Sequence, residues 1–350
     1  MKKLFNPVLR ALAPAVIGLL GALPLGAQAA QPETIRIAVP DLSAGSQSSA
    51  GGVVDVLRSQ QLLEKEFAKD GIHIDWHFFK GAGPVINEAL ANGQADFAYL
   101  GDLAAIVGKA SGLDTRVLSA GVRGVKSYLG VVPGSGIKTL QDLKGKRVAV
   151  FRGTANQLSF ASALASQGLS ERDLKIINLD FNAANAALAA RQIDATWGLS
   201  SLLALRERGL VELPVNSRDL EGAGSTQAVL LGTGEFIRQH PDLVERLVKV
   251  QLQAVKWLRD ENNREVYVDL VSNLSSYPKV IYQQDLAKED LAHYFDPRLD
   301  AEFVGLLQQG IDLAAKERLI RRDFKASEWI EPRFIDAALQ GEQAVHAATN

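Results

Sequence analysis

Short β-branched apolar runs recur along this chain, and each is followed by a stretch whose apolar residues fall at helical spacing. Thr34–Val39, Ile72–Phe78 and Asp96–Leu100 read as strands. Between them, Val53–Ala68 carries Val53, Val56, Leu57, Leu63 and Phe67 near helical spacing. A second helix follows Pro84, over Val85–Ala91, and a third begins at Leu103. The pattern then restarts. Lys146–Val150, Leu174–Leu179 and Ala195–Trp197 read as strands, with helices over Ala155–Gln167, Ala183–Ala190 and from Ser201. Such alternation implies parallel sheets covered by helices. From about Glu235 it stops, and amphipathic helices are expected over Pro241–Arg259, Asn262–Asn273, Leu286–His293 and Asp300–Lys316.

The restart shows as an internal repeat. Residues 89–101 read ALANGQADFAYLG and residues 187–199 read ALAARQIDATWGL, so Gln94 and Asp96 match Gln192 and Asp194. Each block spans a helix end, a turn and the next strand. Two similar lobes follow from this, joined by two crossings of the chain near 121–132 and 222–231. The expected division is a first lobe of 30–125 and 229–350, with the helical C-terminal part folded back onto it, and a second lobe of 126–228. Two crossings make a hinge.

Composition narrows the role. The 350 residues carry a formal net charge of −2, so no basic excess points to nucleic acid or an anionic membrane. Lys2, Lys3 and Arg10 precede an uncharged apolar run from Ala11 to about Gly26 and then Ala27-Gln28-Ala29. That order is a secretory signal peptide, expected to be cleaved after residue 29. There is no cysteine, which excludes disulfides, a thiol nucleophile and a lipid-modified N-terminal cysteine. A soluble, monomeric periplasmic protein is expected. A phosphate loop and a G-x-S-x-G elbow are both missing from the sequence. His73, Asp75 and His77 share a strand face that could in principle hold a metal, but a polar strand face is far commoner; no metal and no cofactor is expected.

The segment Gly136-Ile137-Lys138-Thr139-Leu140-Gln141-Asp142-Leu143-Lys144-Gly145-Lys146-Arg147-Val148-Ala149-Val150 resembles the stretch that opens the second lobe of periplasmic solute-binding proteins. Ala89–Phe97 with Gly101-Asp102 resembles a block of the group that binds aliphatic sulfonates, taurine, sulfate esters and nitrate. Ala195-Thr196-Trp197 stands where that group has an aromatic stretch. The resemblance covers roughly residues 33 to 335. It implies a two-lobed α/β fold of the type II periplasmic binding class, each lobe a mainly parallel sheet flanked by helices. It also implies a non-enzymatic role: capture of an organosulfur oxyanion, sulfate ester or sulfonate, for an ABC transporter permease. Alternatives are nitrate, bicarbonate or a thiamine-precursor pyrimidine as ligand, or an enzyme similar to thiamine-pyrimidine synthases. Those enzymes carry a cysteine-rich motif, and this chain has none. Departures fall in the pocket loops: Gly101-Asp102-Leu103-Ala104-Ala105, Trp197-Gly198-Leu199-Ser200 and the long polar loop Pro40–Ser49.

In open parallel sheets ligands sit beyond the carboxyl ends of the strands. This selects the turns at 40–52, 79–84, 100–103, 151–155, 180–183 and 198–201. Helix starts there offer free N–H groups backed by the helix dipole, an arrangement that suits an anion. Candidate ligand contacts are Ser46, Gln47, Ser48, Gly101, Asp102, Arg123, Arg152, Gly153, Thr154, Asn156, Gln157, Trp197, Ser200 and Gln227. Thr154 could instead simply cap its helix. Asp102 would repel an anion, so a capping role or contact with a ligand amine is expected of it. Trp197 could cover an organic tail or sit in the core. One of Arg123, Lys126 and Arg152 could neutralise the head group.

Overall fold

A computed structural model describes residues 31–349, so the expected signal peptide lies outside the described residues. Two five-stranded sheets organise the described residues. The first is built from β1 (Thr34–Pro40), β2 (His73–Phe79), β3 (Phe97–Gly101), β4 (Thr115–Val125) and β10 (Thr226–Thr233). The second holds β5 (Tyr128–Val131), β6 (Arg147–Val150), β7 (Lys175–Asn178), β8 (Ala195–Gly198) and β9 (Glu212–Asn216). Their orders, β2-β1-β3-β10-β4 and β7-β6-β8-β5-β9, correspond position by position. In each sheet one strand, β10 or β5, runs against the other four. The sheets are therefore mainly parallel in strand direction, as expected, but mixed. The reversed strand in each is the first one the chain makes on arriving from the other sheet. It passes across between Val125 and Tyr128 and returns between Asn216 and Thr226.

Helices α1 (Gly52–Ser59), α2 (Leu62–Phe67), α3 (Ala82–Ala91) and α4 (Asp102–Ala110) flank the first sheet, and α5 (Ala155–Ser166), α6 (Phe181–Ala189) and α7 (Ser201–Glu207) the second. The chain ends in α8 (Gly234–Gln239), α9 (Pro241–Arg259), α10 (Arg264–Ser275), α11 (Lys279–Leu286), α12 (Leu291–Tyr294), α13 (Ala301–Lys316) and α14 (Arg333–Thr349). Two expected helices differ. Val53–Ala68 breaks into α1 and α2 because Gln61 adopts a left-handed φ of 52°. The helix expected over Leu286–His293 falls on a junction: α11 ends at Leu286, and α12 restarts where Asp290 accepts from the N–H groups of Ala292 and His293. The strands β4, β5, β9 and β10 did not stand out in the hydrophobic pattern.

The sequence repeat is a structural repeat. Asp96, at the start of β3, accepts from the backbone N–H of Arg36 at 2.8 Å and from its guanidinium at 2.6 and 3.0 Å. Asp194, at the start of β8, does the same to Arg147, at 2.8 Å for the backbone and 2.8 and 3.3 Å for the guanidinium. The preceding helices end alike, with Gly93 (φ 64°) and Arg191 (φ 58°) in the same left-handed position. Glycine carries no steric cost there, whereas arginine does. Arg191→Gly is therefore expected to stabilise the fold by about 0.5–1 kcal/mol in urea unfolding, with no effect on the cleft.

Each lobe has its own core, and each lends a side chain to the other. Leu158 of α5 is buried among residues of the first sheet and α13. Ile281 of α11 is buried with Leu188, Leu202 and Leu203 of the second lobe. The C-terminal helices thus cover the first lobe and also reach across to the second.

Candidate functional site

Between the sheets lies a cavity of about 270 Å³, walled by residues of both lobes. The starts of α1, α3, α4, α5, α6 and α7 all reach it, through Val53, Ala82, Gly101, Thr154, Phe181 and Ser201. Helix starts hold N–H groups without intrahelical partners, so what satisfies them decides what the cavity can bind.

At α1 the loop that leads into the helix is tied down, although the helix itself has no side-chain cap. The buried Asp55 carboxylate accepts from the N–H of Ala50 and Gly51 at 3.2 Å each, and from the Ser49 hydroxyl at 2.6 Å. The Gly52 N–H donates to the Tyr267 hydroxyl at 2.8 Å. Gly51 and Gly52 take φ of 71° and 56°, which only glycine adopts easily, so this loop is shaped and closed. At α4, Asp102 accepts from Leu103 at 2.6 Å and ties β3 to β10 through the Gln227 N–H at 3.1 Å.

At α5 the Gln157 N–H donates to the Thr154 carbonyl at 3.0 Å, and the N–H groups of Ala155 and Asn156 have no partner among the described residues. The Thr154 hydroxyl donates to the Phe151 carbonyl at 2.7 Å and gives the helix no side-chain cap. Asn156, in the first turn, is 2% exposed and lines the cavity, and its amide nitrogen has no hydrogen-bond partner among the described residues. A buried donor left unpaired costs about 1–3 kcal/mol. Facing α5 is the start of α3, also without a side-chain cap, where Ala82 holds a left-handed φ of 47°. Non-glycine backbone there stores strain of the kind that clusters at ligand sites. The two tips are close: a Cβ on Gly83 would lie 3.1 Å from the Gly153 carbonyl, and one on Gly101 would lie 2.6 Å from the Ala155 methyl.

Much of the rest of the wall is apolar and aromatic, with Ser200, Ser201, Thr226 and Gln227 among its polar members. Tyr99, Phe181, Tyr267, Tyr277, Tyr282, Tyr294 and Phe295 line it. Among the described residues no Lys, Arg or His lines the cavity, and Asp285 is its one carboxyl. Any anion there must rest on neutral donors and helix dipoles, not on a cation.

Of the candidate residues, Gly101, Thr154, Asn156, Ser200 and Gln227 come together on this wall. The others stand elsewhere. Ser46 and Gln47 are exposed, because Asp41 folds their loop back by accepting from Ser43 at 2.7 Å and Ser48 at 3.2 Å. Arg123 is fully buried and does not face the cavity. It donates to the Asp296 carbonyl and the Asp300 carboxylate at 3.0 Å each, anchoring the 296–303 segment to β4. Lys126 pairs with Glu289 at 3.2 Å, and Arg152 is exposed. The Gly153 N–H is taken by Gln157, whose amide in turn donates to Glu171 at 3.0 Å. Trp197 is a core residue: it stacks on Phe160 at 5.9 Å and donates to Ser159 at 2.7 Å. It also props the return crossing, since a Cβ on Gly224 would lie 2.7 Å from its ring. His77 pairs with Asp75 at 2.7 Å, and no group of side chains able to hold a metal occurs among the described residues. The aromatic wall supplied by α10–α12 was not foreseen; the one available sign was that four of the six tyrosines fall between 267 and 294.

Asp102 also sets a pH dependence. Burial pushes its carboxyl from 3.8 up to about 7, outweighing the two amides that favour its charge. A carboxyl held higher in the folded state favours folding at low pH, and that contribution is lost as pH climbs from 3.8 to about 7. Asp102→Asn keeps an acceptor for Gln227. Across that window the wild type is expected to lose stability relative to the variant, by on the order of 2–4 kcal/mol, measured by denaturation at a series of pH values.

The chain matches the profile of the family described as "NMT1/THI5 like" over residues 67–264, more than half its length. A Bacillus subtilis (strain 168) protein named "Putative aliphatic sulfonates-binding protein" is 27% identical over 305 residues, covering 86% of this chain and 88% of that one. One of the same name from Escherichia coli (strain K12) is 28% identical over 330 residues, covering 90% and 95%. Among solved structures, the alkanesulfonate-binding protein SsuA from Xanthomonas axonopodis pv. citri, bound to MOPS, aligns with a TM-score of 0.72 at 26% identity. That alignment covers 87% of this chain and all of that one.

Proposed function

This chain belongs to the NMT1/THI5-like family, and from that footing we propose that it is a capture protein and not a catalyst, binding an organosulfur oxyanion for an ABC importer. The site of action is the periplasm, where a signal-bearing chain of this kind would meet its ligand. The observation that carries this reading is the open first turn of α5. A buried Asn156 amide, unpartnered among the described residues, and free backbone donors face the uncapped start of α3 across a mainly apolar cavity. A sulfonate or sulfate ester is ionised at any physiological pH and offers acceptors only, so it complements such a set.

The size of the cavity argues the same way. At about 270 Å³ the cavity has far more room than a nitrate or bicarbonate ion fills. The aromatic wall suits the organic part of the ligand, whereas a small inorganic ion would leave it empty. Donors from α3 belong to the first lobe and donors from α5 to the second, so a ligand touching both favours the closed arrangement. That differential is what lets a ligand shift an opening equilibrium. The closed form, as a monomer, would present one continuous surface to a permease.

Isothermal titration of the ligand-stripped protein with hexanesulfonate, hexyl sulfate, nitrate and bicarbonate tests the reading. Binding of the two organosulfur anions alone is expected. Binding of nitrate but of neither organosulfur anion would replace it with an inorganic-ion carrier.

A further inference from the structure

Helix α11 meets the two lobes with different residues. Tyr282 and Leu286, four apart, pack on the first-lobe core. The same spacing puts Ile281 and Asp285 on another face, with Gln284 beside them, and Glu289 follows in the turn beyond. These four all engage the second lobe. Ile281 is buried with Leu188, Leu202 and Leu203. Gln284 accepts from the Arg206 guanidinium of α7, and Asp285 accepts from the Tyr128 hydroxyl of β5 at 2.7 Å. Glu289 pairs with Arg218 at 2.6 Å and with Lys126, in the crossing itself, at 3.2 Å.

The anchor of α11 is the first lobe. Lys279 pairs with Glu265 and Asp269 of α10 at 3.1 and 2.7 Å. Arg264 of α10 donates to the carbonyls of Leu286 and Glu289 at 2.6 and 2.7 Å. Helix α10 is itself fixed by Val268 and Val271 in the first-lobe core. Parting of the lobes about the two crossings therefore separates α11 from α7, β5 and Arg218, and not from α10. The contacts that break are sheltered: the Glu289 side chain is 10% exposed and that of Lys126 12%. A pair so placed is screened less by salt than one on open surface. Ile281 would pass from a core to water, which also opposes opening.

We propose that α11 is a strap that biases the lobes toward closure whether or not the cleft is filled. Ile281, Gln284 and Glu289 stand outside the cavity wall, so their contribution is the same for every ligand. It acts through the fraction of molecules already in the binding-competent arrangement, because apparent affinity falls in proportion to that fraction. The helix tips at α3 and α5 select the molecule, and α11 sets how tightly any selected molecule is held. The strap goes beyond the anion reading and does not depend on it.

The distance between the lobes in the ligand-stripped protein tests this. The chain has no cysteine, so Glu88→Cys on α3 and Asn182→Cys on α6, both at exposed positions, take one spin label on each lobe. Pulsed dipolar spectroscopy is expected to show mainly the short distance in the otherwise wild-type chain. Glu289→Gln and Arg218→Gln are each expected to move much of the ligand-free population to a longer distance, and saturating hexanesulfonate to restore the short one. Calorimetry is expected to show hexanesulfonate and hexyl sulfate weakened by the same factor, about three- to tenfold. Unchanged ligand-free distances in both variants would overturn the strap, and so would a loss of affinity confined to one of the two ligands. The distances need no ligand, so a failure of hexanesulfonate to bind the wild type would remove the anion reading and leave the strap to be decided by them alone. The Arg218 side chain is 41% exposed, so Arg218→Gln decides the matter even if Glu289→Gln fails to fold.

Discussion

Asn156→Asp is expected to weaken binding of hexanesulfonate at neutral pH by a hundredfold or more, against about tenfold for Asn156→Ala. The alanine variant removes one donor to a charged acceptor, worth roughly 1.5–3 kcal/mol. The aspartate variant adds a like charge, for several kcal/mol more. The two should also differ in their pH dependence. A buried aspartate takes up a proton as pH falls and becomes a donor again, so its deficit should shrink in acid while that of alanine stays level. Titration calorimetry at two pH values reads both effects. Equal affinities for the wild type and Asn156→Asp would remove Asn156 from the site.

The second large effect concerns the approach of the lobes. Gly101 has φ −70° and ψ 154°, which any residue adopts, so an added methyl strains no backbone there. That methyl would nevertheless lie 2.6 Å from the methyl of Ala155 on α5. Gly101→Ala is therefore expected to hold the lobes apart and to lower affinity for the same ligand tenfold or more. Its unfolding free energy should stay within about 1 kcal/mol of the wild type, because the collision arises between lobes and not inside a core. Small-angle scattering with saturating ligand should show the variant more extended than the wild type. Unchanged affinity and scattering would mean that the ligand does not require this contact.

How far the sequence could be read depended on whether a feature was local. The strand–helix alternation and the 89–101 and 187–199 repeat are local, and the structure gives the repeat a physical basis in the matched pairs Arg36–Asp96 and Arg147–Asp194. The turns beyond the strand ends were likewise legible, and Gly101, Thr154 and Ser200 in them line the cavity. What could not be read depended on distant partners. Nothing near Arg123 in sequence says that its guanidinium will be spent on carbonyl and carboxylate groups at 296–300. Trp197 differs from a ligand-facing tryptophan only through Phe160, Ser159 and Gly224. The tyrosines of α10–α12 sit on helices whose pattern is that of ordinary amphipathic cover. Only the fold brings them over the cleft, and with them Asp285. The reversed strands β5 and β10 were hidden for the same reason, since direction within a sheet is set by topology and not by local pattern.

The most direct test of the account is a crystal structure of the ligand-stripped protein soaked or grown with hexanesulfonate. The account predicts the sulfonate oxygens within hydrogen-bond reach of the Asn156 amide and the first N–H groups of α5, with α3 opposite and the alkyl chain among the aromatic rings. A sulfonate found outside this cleft, or bound there by a lysine or arginine with Asn156 still unpartnered, would contradict it.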